Sequence, residues 1–285
     1  MKKRIVLMMA VFAFAMVFTS CEKDGQYMPK KKITKITYYH SHKVGDLIIS
    51  TTESERWTWG GDLLSYIDYY NSDGDRTGTL LFRYDDDKRL EEAESSTHNV
   101  KYDYANNHLE KIEIRSNATG KLHQKMEFGY KGGKLVSLEI SSYNEKGDAP
   151  LTFNPLRFFL PDQVSEVMMS KAATKGVIHY TFTWSGKNIA EIASDGPDRY
   201  SAKLFYDDKV NPFKGFLNTN FDIGQTHSAN NLVREESYVD GKFVVVEYDH
   251  EYNGKYPTKV KYQTESNTLV PGYTLTVDNL AEYQY

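Results

Sequence analysis

From residue 33 onward, apolar and polar residues alternate in short runs that are separated by turn residues. Alternation with a period of two is typical of β-strands that bury one face and expose the other. Glycine and asparagine tolerate the positive φ angles of tight hairpins, and they punctuate the runs. The pattern predicts an all-β protein. We expect an extended, curled antiparallel meander sheet of repeated hairpins, open or partly closed like a barrel, with little helix.

A repeated phrase runs through these hairpins. An aromatic residue is followed by an apolar residue at the fifth position and another at the eighth, as in Tyr104, Leu109 and Ile112. The same offsets follow Trp59, Tyr130 and Trp184, whereas Tyr252 retains the eighth position and Tyr84 fits with one extra residue. Such repeats are typical of units that bury their apolar face by stacking on their neighbours. We therefore predict one β-repeat domain over residues 33–285.

One segment interrupts the repeat. Residues 147–161 include Pro150, Pro155 and Pro161, and they form either a long loop or a seam between two halves of the domain. The residues from Pro161 to Met169 predict either a short helix capped by Asp162 or a strand that leads into the next turn.

The first twenty residues have the parts of a secretory signal peptide. Three basic residues precede the apolar run 5–18, which is shorter than the ~20 apolar residues of a membrane-spanning helix. The run ends at Phe18-Thr19-Ser20-Cys21, and Cys21 is the only cysteine of the chain. An ordinary cleaved signal is the alternative, but it would leave an unpaired exported thiol.

Residues 18–21 resemble the lipobox of bacterial lipoproteins. The resemblance implies a signal peptide over residues 1–20, cleavage before Cys21, and acylation of its thiol and of the new amino terminus. Residues 21–32 would then form a lipidated tether, because residues 22–32 show no apolar periodicity. The location implied is the outer membrane, and the charged residues after Cys21 are compatible with its exterior face.

The repeated phrase itself resembles the YD (RHS-type) repeat. Residues 205–213 and 252–259 are similar to recurrent elements of Bacteroidetes lipoproteins that are built on such hairpins. The resemblance covers most of residues 33–285. It implies a curled antiparallel sheet in the cell envelope and no particular chemistry.

The charge of the chain argues against nucleic acid as a partner. Cleavage of the signal would remove three of 35 basic residues and none of 39 acidic residues, which leaves 32 against 39. An acidic protein without a basic stripe is a poor candidate for binding nucleic acid. Disulfides need a second cysteine, so packing must hold the fold.

Two motifs suggest metal ligands. His40 and His42 stand two apart on a predicted strand and could reach one cation, but a catalytic zinc needs a third protein ligand. The segment Asn71 to Gly78 alternates oxygen-bearing side chains, but it lacks the glycine and the glutamate of an EF-hand loop. We interpret the first as the solvated face of a strand and the second as a polar hairpin turn. No metal or cofactor is therefore expected.

Acidic clusters raise the possibility of a glycosidase. Asp85, Asp86 and Asp87 lie close in sequence to Glu91 and Glu92. Glycoside hydrolysis requires two carboxylates ~5 to 9.5 Å apart, which sequence spacing does not establish. We assign no catalytic residue, because neither a nucleophile elbow nor a phosphate-binding loop is present.

Five tyrosines are candidates for ligand binding. Aromatic rings offer rigid contact surface to sugars and peptides. The residues whose facing the alternation leaves ambiguous are Tyr38, Tyr39, Tyr69, Tyr70 and Tyr143. The alternative is that they pack in the core.

These observations favour a non-enzymatic envelope lipoprotein. We expect it to be anchored in the outer membrane, to face the exterior, and to bind a glycan, a peptide or a partner protein through its sheet. A hydrolase of an extracellular polymer that uses a carboxylate pair is the alternative. A carrier that holds lipid in an apolar interior is a third hypothesis, which a tightly filled interior would oppose.

Overall fold

The computed structural model describes residues 23–44, 47–143, 176–195, 200–217, 226–239, 242–266 and 275–285. The predicted signal peptide, Cys21, the whole of the proposed seam and the segment from Pro161 to Met169 lie outside these residues. Within the described ranges, no helix has the length and hydropathy needed to cross a membrane.

The described residues form sixteen β-strands, and each strand is antiparallel to its neighbours. They are β1 Lys35–Val44, β2 Leu47–Gly60, β3 Leu63–Tyr70, β4 Arg76–Tyr84, β5 Leu90–Glu94, β6 His98–Ala105, β7 His108–Ser116, β8 Leu122–Lys131, β9 Lys134–Ser142, β10 Gly176–Ser185, β11 Asn188–Ser194, β12 Tyr200–Tyr206, β13 Leu232–Val239, β14 Lys242–Asn253, β15 Tyr256–Ser266 and β16 Leu275–Gln284. β1 pairs with β16, so the predicted meander closes into a complete barrel. The all-β prediction is confirmed.

The barrel has two distinct ends. The even-numbered strands, such as β2 and β4, finish at one end, which we call the near end. The chain also enters β1 at this end. The far end carries the turns at which the odd-numbered strands finish. The repeated aromatic residues all lie at the near end.

A β-bulge explains the spacing of the repeat. Residues three apart on a regular strand face opposite sides, yet Leu109 and Ile112 are both fully buried. The register shifts between them, because Tyr104 pairs with Leu109 and Asp103 pairs with Lys111. The extra residue returns both side chains to the interior. The same shift occurs in the hairpins at Trp59, Tyr84, Tyr130, Trp184 and Tyr252.

Four of the repeated aromatic residues, and Tyr285 after β16, also donate hydrogen bonds to neighbouring segments. The donor and acceptor atoms lie 2.6 to 2.8 Å apart in the pairs Trp59 Nε1 to Ile33 O, Tyr84 Oη to Leu64 O, Tyr104 Oη to Leu90 O, Trp184 Nε1 to Leu135 O and Tyr285 Oη to Pro257 O. The acceptor in the last four pairs is the fifth-position residue of the preceding hairpin. These hydrogen bonds tie several of the repeats to the one before them, as in stacked units.

Residues 23–32 of the predicted tether (residues 21–32) pack on the barrel together with residues 33 and 34. Asp24 accepts a hydrogen bond from the backbone N–H of Leu109 at 3.0 Å. Tyr27 is 3% exposed and donates to the carbonyl of Pro212 at 2.8 Å. Its ring packs against Phe216, with centroids 4.7 Å apart. The lack of periodicity was misleading, because this segment crosses the near end without forming a strand.

Gly25 shows how closely this segment is packed. It has a φ of +81°, and a Cβ at this position would overlap the ring of Tyr104. Its carbonyl accepts from the backbone N–H of Leu90 at 3.0 Å. Only glycine combines this backbone conformation with so close an approach.

One continuous cluster of buried apolar side chains occupies the interior. It includes inward residues from nearly every strand together with Phe213, Phe216 and Leu217 of the connection after β12. This packed core opposes the hypothesis that the interior is a lipid-carrying pocket.

The outer wall is charged over β6 to β8. Lys111 contacts Asp103 at 3.0 Å, and Lys125 contacts Glu127 at 2.7 Å. These pairs alternate along β6 to β8 with buried residues such as Tyr102. A barrel that spans lipid has the reverse arrangement, with an apolar outer band and a polar lumen.

Candidate functional site

A concave groove of about 620 Å³ lies in the wall over β14, β15, β16, β1 and β2, and outward residues line it together with the inward His40, Tyr262 and Asn279. The strand register places five of its residues in one row, in the order Asp249, Lys261, Leu280, Tyr39 and Thr52. All five point outward, because they alternate with inward residues on their strands. The first and last strands of the barrel meet here, so the groove exists only in the closed fold.

The groove combines an aromatic ring with polar groups. Tyr39 is 39% exposed, and its hydroxyl donates to Glu282 Oε2 at 3.4 Å. Lys261 Nζ lies 3.6 Å from a carboxylate oxygen of Glu251. The hydroxyl side chains of Ser41, Ser50 and Thr52 and the carboxylates of Glu247 and Asp249 complete the lining. A ring face beside hydroxyl and carboxylate acceptors suits a sugar, whose apolar face stacks while its hydroxyls donate.

Two of the five predicted binding tyrosines face the interior. Tyr38 is partly buried, and its hydroxyl lies 3.4 Å from Glu55 Oε1. Burial, followed by the nearby Glu55 carboxylate, holds the pKa of Tyr38 well above its ordinary value. Tyr69 packs against the core from β3. Both therefore match the packing alternative, because adjacent strand positions face opposite sides and each pair of tyrosines is divided.

The three other tyrosines lie on the outer surface but do not form one site. Tyr39 is in the groove. The ring of Tyr70 lies beneath the guanidinium of Arg56, 4.5 Å from its carbon atom. Tyr143 follows β9 at the far end and is 42% exposed. The structure therefore assigns one of the five to the groove.

Of the predicted histidine pair, the structure describes the side chain of His40, which faces inward. His40 is half-buried, its Nδ1 lies 2.5 Å from Asn279 Oδ1, and its ring stacks on Tyr38. This inward position follows the alternation set by Ile36. The side chain of His42 is outside the described residues. Within the described ranges, no three His, Cys, Asp or Glu side chains come together as metal ligands.

The segment Asn71 to Gly78 begins with a polar turn, as the sequence indicated. Asn71 Oδ1 accepts from the backbone N–H groups of Asp73 at 3.1 Å and Asp75 at 2.9 Å. The backbone N–H of Gly74 donates to the carbonyl of Asn71. The side-chain oxygen thus stabilises the turn itself.

Hydrogen bonds stabilise the ionised form of two residues of the acidic cluster. Burial alone would raise the pKa of Asp85, but hydrogen bonds from the backbone and side chain of Arg89 lower it. Hydrogen bonds from Asn99, and then from Arg83, lower the pKa of Glu92. A general acid needs a raised carboxyl pKa. These two residues therefore have the wrong electrostatics for that role.

Two buried carboxylates were missed by the sequence reasoning. Glu55 accepts from Trp57 Nε1 at 2.9 Å. Glu235 accepts from Tyr200 Oη at 3.3 Å and from the hydroxyl of Ser237. Each stands in phase with inward residues of its strand, and that phase was the available signal. The groove had no such signal, because its residues come from both ends of the chain.

Comparison with known protein families and with curated proteins gives no match. Similar solved structures include a porin-like protein of Bacteroides uniformis, with 10% identity, a TM-score of 0.54, and coverage of 92% of this chain and 99% of that chain. The two proteins share a fold. A porin-like protein of Bacteroides vulgatus is also 10% identical, with a TM-score of 0.45 and coverage of 89% and 98%. At this identity, the similarity concerns the fold alone.

Proposed function

We propose that this protein is a non-enzymatic lipoprotein of the cell envelope, held in the outer membrane through acylated Cys21 and facing the exterior. In this proposal it binds an extracellular glycan in the groove around Tyr39. The observation that carries the glycan assignment is the row of outward residues in which an exposed ring stands between hydroxyl and carboxylate acceptors.

The porin-like name of the similar structures raises a channel as another function. The charged outer wall and the packed apolar core both oppose it, because a channel in lipid needs an apolar wall and a polar lumen. We therefore assign the contact with the membrane to the acyl chains and the recognition of ligand to the outer wall.

A glycan array tests the groove. The protein from residue 21 onward should bind a defined set of glycans, and Tyr39→Ala should reduce that binding at least tenfold, because it removes the stacking surface. Tyr143→Ala is the matched control, since Tyr143 is equally exposed but lies at the far end. Equal loss in both variants would refute the groove. If the protein bound only to a peptide array, the ligand of the groove would be a peptide and not a glycan.

The anchor is tested by metabolic labelling with a fatty-acid probe. The wild-type chain should be labelled in a bacterial host that processes lipoproteins, and Cys21→Ala should abolish the label. Persistent labelling would refute acylation at Cys21. Protease treatment of intact cells tests the orientation, since a protein that is degraded only after lysis does not face the exterior.

A further inference from the structure

We propose that the near end of the barrel is a docking surface for anionic lipid headgroups, so that the barrel stands on its membrane by this end. The proposal rests on the proposed acylation of Cys21 and adds a second contact to it. Three independent features of the near end support it: the position of the anchor, the charge, and an exposed apolar side chain.

The anchor leaves the chain directly at the near end. Lys23 contacts Asp87 at 3.4 Å, and the backbone N–H of Asp24 donates to the carbonyl of Asn107 at 3.0 Å. One residue separates Cys21 from Lys23, and a chain spans at most about 3.6 Å per residue. The Cα atom of Cys21 can therefore lie at most about 7 Å from that of Lys23, which contacts the near-end turn at Asp87.

The near end is basic on an acidic protein. The near-end segments 23–34, 61–62, 85–89, 106–107, 131–134, 186–187, 207–217, 226–231 and 254–255 contain twelve Lys and Arg against seven Asp. From Cys21 onward the whole chain has 32 basic and 39 acidic residues, because three of the 35 basic residues precede it. Outside these segments the described residues hold 15 basic and 23 acidic side chains, so within the described part of the chain the near end is the more basic region.

Some near-end lysines form ion pairs, whereas others at the tips of the turns are available to contact lipid headgroups. Asp62, Asp87 and Asp208 are paired with Lys32, Lys23 and Lys209. The exposed lysines Lys30, Lys88, Lys131, Lys187 and Lys255 make no ion pair within the described part of the chain. Lysines near an anionic bilayer are attracted to its surface potential, and the attraction adds up over the cluster.

Met28 is the exposed apolar residue that is nearest to Cys21 in the sequence, and it is 46% exposed. Tyr27 beside it is buried, so the segment turns one side chain into the barrel and the next outward. An exposed apolar residue among lysines is a common composition for a surface that rests on lipid headgroups.

Vesicle sedimentation tests the surface without the acyl chains. The chain from residue 21 onward with Cys21→Ser is mixed with phosphatidylcholine vesicles, with or without about one-third phosphatidylglycerol. Binding should require the anionic lipid and should be lost between low salt and about 0.3 M salt, because the contact is electrostatic. The triple variant Lys88→Gln, Lys187→Gln, Lys255→Gln should reduce the partition coefficient at least tenfold.

The matched control carries Lys101→Gln, Lys121→Gln and Lys203→Gln, which removes three exposed lysines from elsewhere on the barrel. It should change the partition coefficient less than twofold, and thermal unfolding should confirm that both variants fold. Equal losses in both variants, or no binding of the parent chain to anionic vesicles, would overturn the proposal. Neither result bears on acylation, whereas failure of fatty-acid labelling would remove the anchor and leave the vesicle result standing.

Discussion

The two ends of the barrel differ in what repeats. At the near end, a bulge, a buried pair of apolar residues and an aromatic side chain recur from hairpin to hairpin. At the far end, the described turns have no common pattern: Asn71 stabilises one turn through its side-chain oxygen, and Ser95 bonds to His98 in another. The sequence repeat therefore encodes one end of the molecule and leaves the other free to vary.

The difference extends to how apolar residues are used. The near-end rings contact the core, whereas several large apolar side chains near the far end are exposed, among them Ile48, Val177, Tyr238 and Phe243. Backbone strain is distributed in the same way. In the described residues, the non-glycine residues with positive φ are Lys88, Asn106 and Asn107, and all three lie in near-end turns. The near end should thus contribute more to the free energy of unfolding through its core contacts, and it should also contain more backbone strain.

Alkaline pH should cause the largest loss in the free energy of unfolding, because several near-end tyrosines are buried. Burial raises the pKa of Tyr84, Tyr102 and Tyr104 above the ordinary value near 10. Above pH ~10 these groups ionise in the unfolded chain but stay neutral in the folded barrel. Ionisation lowers the free energy of the unfolded state, so the free energy of unfolding falls as pH rises. The expected loss is about 1.4 kcal/mol per pH unit for each such tyrosine.

Denaturant unfolding between pH 9 and pH 12 measures this slope. Tyr104→Phe should remove one ionising group and reduce the slope by about 1.4 kcal/mol per pH unit. A free energy of unfolding that stays constant from pH 10 to pH 12 would contradict the burial of the near-end hydroxyls.

Removal of Tyr27 should come next in size. Tyr27→Ala deletes a buried ring that contacts Trp57 and Phe216 and a hydrogen bond to Pro212. We expect a loss of about 3 to 5 kcal/mol in the free energy of unfolding. Met28→Ala, which changes the exposed neighbour, should cost less than about 0.5 kcal/mol. If both variants unfold like the parent protein, residues 23–34 are a tether after all.

The sequence predicted the fold better than the site. Alternation indicated the strands, and the offsets from Tyr104 to Leu109 and Ile112 indicated the repeat, because local pattern decides both. Closure of the barrel was left open, since the pairing of β1 with β16 joins the two ends of the chain. The same separation hid the groove, in which Tyr39 meets Leu280 and Lys261. The packing of residues 23–34 could not be predicted, because it depends on tertiary contacts of Asp24, Gly25 and Tyr27 rather than on periodicity.

A single near-end hydrogen bond should have a smaller effect. Tyr84→Phe removes the bond from the Tyr84 hydroxyl to the carbonyl of Leu64, 2.8 Å long, and retains the ring. We expect a loss of about 1 kcal/mol. Tyr238→Phe at the far end, where the side chain is exposed, should leave the free energy of unfolding within about 0.5 kcal/mol. Equal losses at both positions would remove the energetic distinction between the two ends.

The smallest effect should be a gain in stability. Lys88 has a φ of 62°, a conformation that costs an L-residue with a Cβ roughly 1 kcal/mol and costs glycine little. Lys88→Gly should therefore unfold at higher denaturant concentration than Lys88→Ala, by about 0.5 to 1 kcal/mol in free energy. Alanine is the proper reference, because it removes the same charge and retains the Cβ. If the alanine variant were the more stable, the turn would not be strained, and the near end would hold its regular geometry without a local backbone cost.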